Sequence, residues 1–218
     1  MIARDDPADA DITELHQLLE AYDDVLTATL TRVRDAIDVA PTSRVKNTGT
    51  ILEKLERHGG SWLKSIHDLA GMRIVVDRDR NAQDALVSEL IKLFGDEARE
   101  PKVIDRRESP SHGYRAVHVI VFPEDMAVEI QVRTRWQHEW ADMFEKLADR
   151  VGRDIRYGQP PETEVARLLV GAADAVAGMI GAVEQIEAID PANASLVGYR
   201  RDIAASLHRQ RGLIERLV

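Results

Sequence analysis

Two stretches in the middle of the chain alternate with a period of two. "YRAVHVIVF" (114–122) and "MAVEIQVRT" (126–134) set apolar residues at every second position, and "PED" between them is turn chemistry. The pair predicts a β-hairpin. "RWQHEWADMFEKLADRVG" follows at once with helical spacing and predicts a helix packed back on that sheet.

Helices and further strands surround the hairpin. Residues 11–38 carry Ile12, Leu15, Leu18, Leu19, Tyr22, Val25, Leu26, Leu30, Val33 and Ile37 at amphipathic helical spacing, and "APTS" ends that run. "TILEKLERHG" and "SWLKSIHDLA" predict two short helices leading into a strand "MRIVVD". "NAQDALVSELIKLFG" is a helix closed by Gly95, and "PKVIDRRE" a short strand. After "YGQPP", residues 162–189 and 192–217 form two long helices rich in small and aliphatic residues, with packing or oligomerisation as their role. The predicted class is α+β in three parts: an N-terminal helix (1–40), an α/β core (41–158) and a C-terminal helical hairpin (159–218).

Bulk composition narrows the function. Of 218 residues, 44% are apolar and 31% charged, as in a soluble globular protein. There is no uninterrupted apolar run of 18 residues and no signal-peptide pattern at the start, and the chain has no cysteine, so a cytoplasmic location is expected. The net charge of −9 argues against nonspecific nucleic-acid binding. Lysine and arginine nevertheless gather at 44–78 and 99–115, which allows a local pocket for a small polyphosphate.

The polar residues of the strands are the candidates for chemistry. In "VEIQVRT", Glu129, Gln131 and Arg133 share one strand face. A solvated edge explains that stripe as well as a site does. On the preceding strand Tyr114, Ala116, His118 and Ile120 share a face, so an aromatic ring, a histidine, a carboxylate and an amide converge if the two faces match. Asp68 stands just before the "MRIVVD" strand and Arg73 within it. Carboxylates beside cations suit Mg²⁺ held together with substrate phosphates. Arg44, Lys46, Thr48, Thr50 and Lys54 cluster at a predicted helix start, which is either an anion site or a solvated basic turn.

Four stretches, "RVKNTGTILEKLER", "DLAGMRIVV", "GYRAVHVIV" and "VEIQVRT", followed by "HEWAD" on a helix, occur in an order and spacing that resembles the synthetase domain of the RelA/SpoT alarmone family, in its small single-domain form. The resemblance covers about residues 40–150. It implies a nucleotidyltransferase-like mixed sheet flanked by helices. It also implies transfer of the β,γ-diphosphate of ATP to the ribose 3′-hydroxyl of GDP or GTP, with release of AMP. Arg44 and Arg73 would then sandwich the adenine, and Lys46 and Lys54 would hold the ATP phosphates. Thr50 would keep a hydroxyl where the family usually has serine. Asp68 and Glu129 would bind Mg²⁺, with Glu129 also the base near the attacking hydroxyl. Tyr114 would stack on the acceptor base, and His118, Gln131 and Arg133 would face the acceptor phosphates or order the sheet. With only about 40 residues ahead of the core, a synthetase without the family's hydrolase half is expected, and the helical tail resembles an oligomerising element that would build a homo-oligomer.

One departure bears on the acceptor. Family members that take guanosine nucleotides often have Pro-Lys-Pro-Asn before Gly-Tyr; here Ser109, Pro110, Ser111 and His112 stand there. The lysine that would hold acceptor phosphates is gone, with Arg106, Arg107 and Arg115 as replacements to consider. The alternative reading is a toxic member of the family that pyrophosphorylates the 3′ end of tRNA or makes adenosine alarmones. An antitoxin partner would accompany that reading.

Overall fold

The structure, a computed structural model, describes residues 9–45, 69–77 and 79–217. In chain order its elements are α1 (Asp9–Ala36), β1 (Thr42–Val45), β2 (Ala70–Val76), α2 (Arg80–Leu93), β3 (Lys102–Asp105), β4 (Val117–Val121), β5 (Val128–Thr134), α3 (Arg135–Val151), α4 (Glu164–Ile189) and α5 (Leu196–Glu215). Short 3-10 turns lie at Pro123–Asp125 and Arg153–Tyr157. The expected α+β class holds. The expected helices at 50–59 and 61–70 fall outside the described residues, apart from Leu69 and Ala70, which lead into and begin β2.

The five strands form one sheet in the order β1-β2-β5-β4-β3. The predicted hairpin is present: β4 and β5 are neighbours joined through residues 122–127, too short a connection for parallel strands. Its turn uses left-handed backbone at Glu124 (φ 52°) and Asp125 (φ 60°). The alternation of β2 and β5 translates directly into burial. Ala70, Met72 and Ile74 of β2, and Val128, Ile130 and Val132 of β5, are buried, whereas Arg73, Glu129 and Gln131 are half-buried.

The "YRAVHVIVF" expectation needs a correction. β4 begins only at Val117, and Tyr114 makes an isolated bridge with Ser111 instead of joining the strand. The cause is local. His112 (φ 49°) and Gly113 (φ 82°) take left-handed backbone and turn the chain. Tyr114 and His118 therefore do not share a face by strand alternation.

The chain resolves into two compact units that interleave in sequence. The first comprises the described residues up to Ile74, with Val87–Ile104 and His118–Val132. It holds most of the sheet; α1, whose buried stripe is Leu15, Val25, Leu26, Leu30 and Val33, lies against β1. Arg32 of α1 ion-pairs with Glu97 and donates to the Leu93 carbonyl at 2.6 Å, while its guanidinium lies 4.6 Å from the Phe94 ring centre.

The second unit comprises Val75–Leu86, Asp105–Val117 and Arg133 onward. Its core is an α-helical cluster in which α3 packs on α4 and α5, and α4 on α5, around Met143, Leu147, Ala173, Ile180, Ile203 and Leu207. Thr134 caps α3 in a reciprocal box with Gln137, satisfying two of the free amides at the helix start. Although no uninterrupted apolar run of 18 residues exists, α4 as a whole is long and apolar enough to cross a membrane; part of it is buried inside the protein, including Glu184 and Glu187.

Candidate active site

In the first unit a row of residues crosses one face of the sheet. β1 and β2 pair antiparallel with position 44 opposite Gly71 and Thr42 opposite Arg73. Opposed residues in such a ladder share a face, and so do residues two apart, so positions 44, 71 and 73 lie together. Gly71 in turn abuts Glu129 of β5. A Cβ placed on Gly71 would sit 3.2 Å from the Glu129 carbonyl oxygen and 4.0 Å from its Cβ. Glu129 then meets β4, where His118 Nδ1 lies 2.8 Å from Glu129 Oε1. The row thus runs 44, 71, 129, 118 across β1, β2, β5 and β4, in the order of the strands.

Glu129 is held from two sides. His118 Nδ1 donates to Oε1, since an ionised carboxylate only accepts, and Gln131 Nε2 donates to Oε2 at 2.8 Å. The Glu129 and His118 side chains each keep 13% of their surface exposed. The Glu129 carboxylate oxygens suit a hard divalent cation, and their fixed orientation suits a base aimed at one hydroxyl.

Tyr114 and Arg133 form a separate pair in the second unit. Arg133 Nη2 donates to the Tyr114 hydroxyl at 3.0 Å, and the guanidinium carbon lies 5.0 Å from the ring centre. Arg133 is only 3% exposed, so it fixes the ring from beneath the surface. Tyr114 lines a cavity of about 180 Å³ together with Ser111, His112, Trp140, Phe144 and Arg156. Trp140 stacks on Phe144 (4.8 Å between centres) and donates Nε1–H to the Ala173 carbonyl at 2.8 Å, which makes it a packing residue. Gly113 is required where it stands: a Cβ there would meet Trp140 Cζ2 at 2.8 Å.

Of the expected site residues, His118, Glu129 and Gln131 come together, with Arg73 and position 44 on the same side of the sheet. Lys46, Thr50, Lys54 and Asp68 lie outside the described residues. Two arginines considered as replacements for the missing lysine have internal partners. Arg107 ion-pairs with Asp84 (2.7 Å) and Asp105 (2.6 Å), and Arg115 donates to the carbonyls of Ala177 (2.8 Å) and Gly113 (3.2 Å) while packing over Gly181. Arg106 is exposed.

Residues 43–148 match the family model described as the region found in RelA / SpoT proteins. This stretch of the chain belongs to the RelA/SpoT family. "Uncharacterized protein Rv1366" of Mycobacterium tuberculosis is 39% identical over 145 residues, which are 66% of this chain and 52% of that protein. "Uncharacterized protein Mb1401" of Mycobacterium bovis matches to the same extent. This chain therefore spans about half the length of the curated relatives it matches. Among solved structures, the small alarmone synthetase 1 of Bacillus subtilis bound to its product pppGpp is similar at TM-score 0.62 and 21% identity, over 84% of this chain and 99% of that one. A GTP pyrophosphokinase family protein of Streptococcus pneumoniae is similar at TM-score 0.59 and 20% identity, over 89% and 97%. At such identities the likeness is one of fold.

Within this RelA/SpoT region, sequence reasoning passed over Gly71. The signal was present, because a glycine inside a strand marks a close approach of backbone or ligand. It also passed over a buried polar network. Glu184 of α4, 2% exposed, accepts from the Thr134 hydroxyl and from Gln137 Nε2 (2.8 Å), and Gln83 Nε2 donates to Gln137 Oε1 (2.9 Å). Burial pushes the Glu184 carboxyl above the ordinary range, against the lowering effect of those hydrogen bonds. Two glutamates three apart in the apolar second half of α4, Glu184 and Glu187, were its trace in the sequence.

Proposed function

We propose that this RelA/SpoT protein is an ATP-dependent pyrophosphokinase that moves the β,γ-diphosphate of ATP to the ribose 3′-hydroxyl of GDP or GTP, yielding the alarmone (p)ppGpp and AMP in the cytoplasm. The observation that carries this reading is the Glu129 carboxylate, oriented by His118 and Gln131 on one face of the sheet, two strands from position 44.

Each step needs a specific group. The acceptor 3′-oxygen attacks the β-phosphorus of ATP, one O–P bond forms, and the bond from that phosphorus to the α,β-bridging oxygen breaks, with AMP as leaving group. The hydroxyl proton passes to Glu129, whose two hydrogen bonds keep one geometry for the attack. His118 is a positioning residue here, since it acts through Glu129. Arg44 and Arg73 hold the adenine, and Lys46, Thr50 and Lys54 hold the donor phosphates. Tyr114, steadied by Arg133, stacks on the acceptor base. Glu129 and Asp68 would hold magnesium, which would supply neutralisation of phosphate charge.

A second reading, transfer to the 3′ end of tRNA or to an adenosine nucleotide, is favoured by one observation. Neither Arg107 nor Arg115 is placed to substitute for the lost lysine, because both are committed to internal partners. An antitoxin would belong to this second reading. The test is one assay. The protein is incubated with γ-labelled ATP and GDP, GTP, ATP or deacylated tRNA in parallel. Label in guanosine tetra- or pentaphosphate supports the main reading, label in tRNA or an adenosine product alone replaces it with the second, and no transfer to any acceptor overturns both.

A further inference from the structure

We infer that Gly181 of α4 is a positioning residue for the acceptor: it seats the Arg115 guanidinium, and Arg115 fixes the turn that presents Tyr114. Its role toward the acceptor rests on the activity proposed above; the seat itself does not.

Glycine is unfavourable inside a helix, because it brings no side-chain contact and loses the most backbone freedom. α4 has three, Gly171, Gly178 and Gly181. Gly171 and Gly178 have open space where a side chain would be. Gly181 is buried, and a Cβ there would lie 2.9 Å from Arg115 Nε and 3.0 Å from its Cζ and Nη2. Of the three, Gly181 is the one whose bareness a neighbour uses.

Helix geometry gives the reason. Cα–Cβ bonds lean towards the helix N-terminus, so a side chain at 181 would lie over the preceding turn, where Ala177 stands. The Ala177 carbonyl accepts from Arg115 Nη1 at 2.8 Å. Within a helix that carbonyl also takes the amide of residue 181, and its second lone pair is open to a further donor only where no side chain covers it. Glycine at 181 leaves it uncovered.

From this seat Arg115 acts on the turn. The same Nη1 donates to the Gly113 carbonyl at 3.2 Å, so one guanidinium ties both sides of Tyr114 to α4. The turn needs such a tie. His112 (φ 49°) and Gly113 (φ 82°) are left-handed, a backbone that a histidine keeps only where its surroundings hold it. Two further contacts act in the same sense. A Cβ on Gly113 would meet that of Ala177 at 3.1 Å, and the His112 ring occupies the space where a Cβ on Gly158 would stand. Ala177 and Gly181, one helical turn apart, form a smooth patch of α4 under residues 113–115. At the far end of the ring, Arg133 holds the Tyr114 hydroxyl at 3.0 Å. Tyr114 is thus fixed at its hydroxyl and at its backbone.

The test is Gly181→Ala beside Gly178→Ala and Arg115→Ala. The methyl added at 181 presses on the end of a flexible side chain and not on backbone, so circular dichroism and melting should persist. With GDP, or whichever acceptor the wild type labels, Gly181→Ala should raise the acceptor KM about 10-fold, as loss of a hydrogen bond from a charged group does, with kcat and the KM for ATP held. Gly178→Ala should match the wild type. Arg115→Ala should match Gly181→Ala, and the double variant should be no worse than either. Hydrogen exchange reads the seat without activity: residues 111–115 should exchange roughly 10-fold faster in Gly181→Ala and at the wild-type rate in Gly178→Ala. Unchanged exchange in Gly181→Ala would overturn the seat. Faster exchange with an unchanged acceptor KM would overturn the positioning role, as would single effects that multiply in the double variant. No transfer by the wild type would overturn the activity reading and the positioning role with it, with exchange still deciding the seat.

Discussion

His118 and Glu129 face each other across neighbouring strands, with Nδ1 2.8 Å from Oε1, and Gln131 grips the other carboxylate oxygen from two residues along the same strand. The carboxylate is thus oriented before any substrate arrives. Glu129→Gln keeps the shape and removes the proton acceptor, so pyrophosphoryl transfer is expected to fall at least ~10²-fold with melting nearly unchanged. His118→Ala leaves the carboxylate in place but loosens it, and is expected to lower kcat by about 10- to 100-fold with little change in the KM for ATP. Steady-state kinetics with the labelled-ATP assay checks both; an unchanged kcat in Glu129→Gln would remove Glu129 from the chemistry, and an unchanged kcat in His118→Ala would remove His118 from its positioning role.

Gly71 separates position 44 from Glu129 on the sheet face. An alanine there crowds the Glu129 carbonyl oxygen at 3.2 Å, a neighbour that is backbone and yields only if the strands shift. Gly71→Ala is expected to cost about 1–3 kcal/mol in urea unfolding, the usual range for an overpacked site. A larger side chain, as in Gly71→Leu, should also cover the face and abolish binding of a non-hydrolysable ATP analogue, measured by calorimetry. Analogue binding by a folded Gly71→Leu protein would show that the donor sits elsewhere.

Tyr114 and Arg133 make a prediction that separates stacking from hydrogen bonding. Tyr114→Phe keeps the ring and leaves the buried Arg133 without that acceptor, so stability should fall by about 1–3 kcal/mol while acceptor KM changes little. Tyr114→Ala removes the platform. Base stacking is worth about 1–3 kcal/mol, so the acceptor KM should rise roughly 10- to 100-fold with the KM for ATP held. Loss of ATP affinity instead would assign the ring to the donor.

Glu184 predicts a pH dependence of stability. Its folded-state carboxyl is raised, chiefly by burial. The folded protein then holds a proton that the unfolded chain releases, so stability falls as pH rises from the ordinary carboxylate value, about 4.3, through the raised folded value. Glu184→Gln removes this component. Urea midpoints of the variant should vary less with pH across that window, and at pH 7 the variant should equal the wild type or exceed it by about 1 kcal/mol. A variant that keeps the wild-type pH slope would place the titration on another group.

Much of this protein was legible in its sequence, for identifiable physical reasons. Helical period and strand alternation are local properties, so α1, α2, β2, the β4–β5 hairpin, α3 and the two long C-terminal helices could be placed from spacing alone. The polar stripe of Glu129 and Gln131 could be too, because successive strand residues must point to opposite faces. Tyr114 was misplaced as a strand residue because left-handed backbone at His112 and Gly113 overrode the alternation; "SHGY" gave the glycine as a warning, and the histidine did not.

What the sequence determined by itself is therefore the elements, the polar faces and membership of a family. Tertiary structure decided the meetings. Only the strand order brings Gly71 of β2 against Glu129 of β5, residues from two distant segments. Only the packing of α4 on α3 and α5 decides which of its apolar stripes is core and which lies exposed. The reason is common to both: period fixes which residues share a face, but the partner of that face depends on distant parts of the chain that no local pattern encodes.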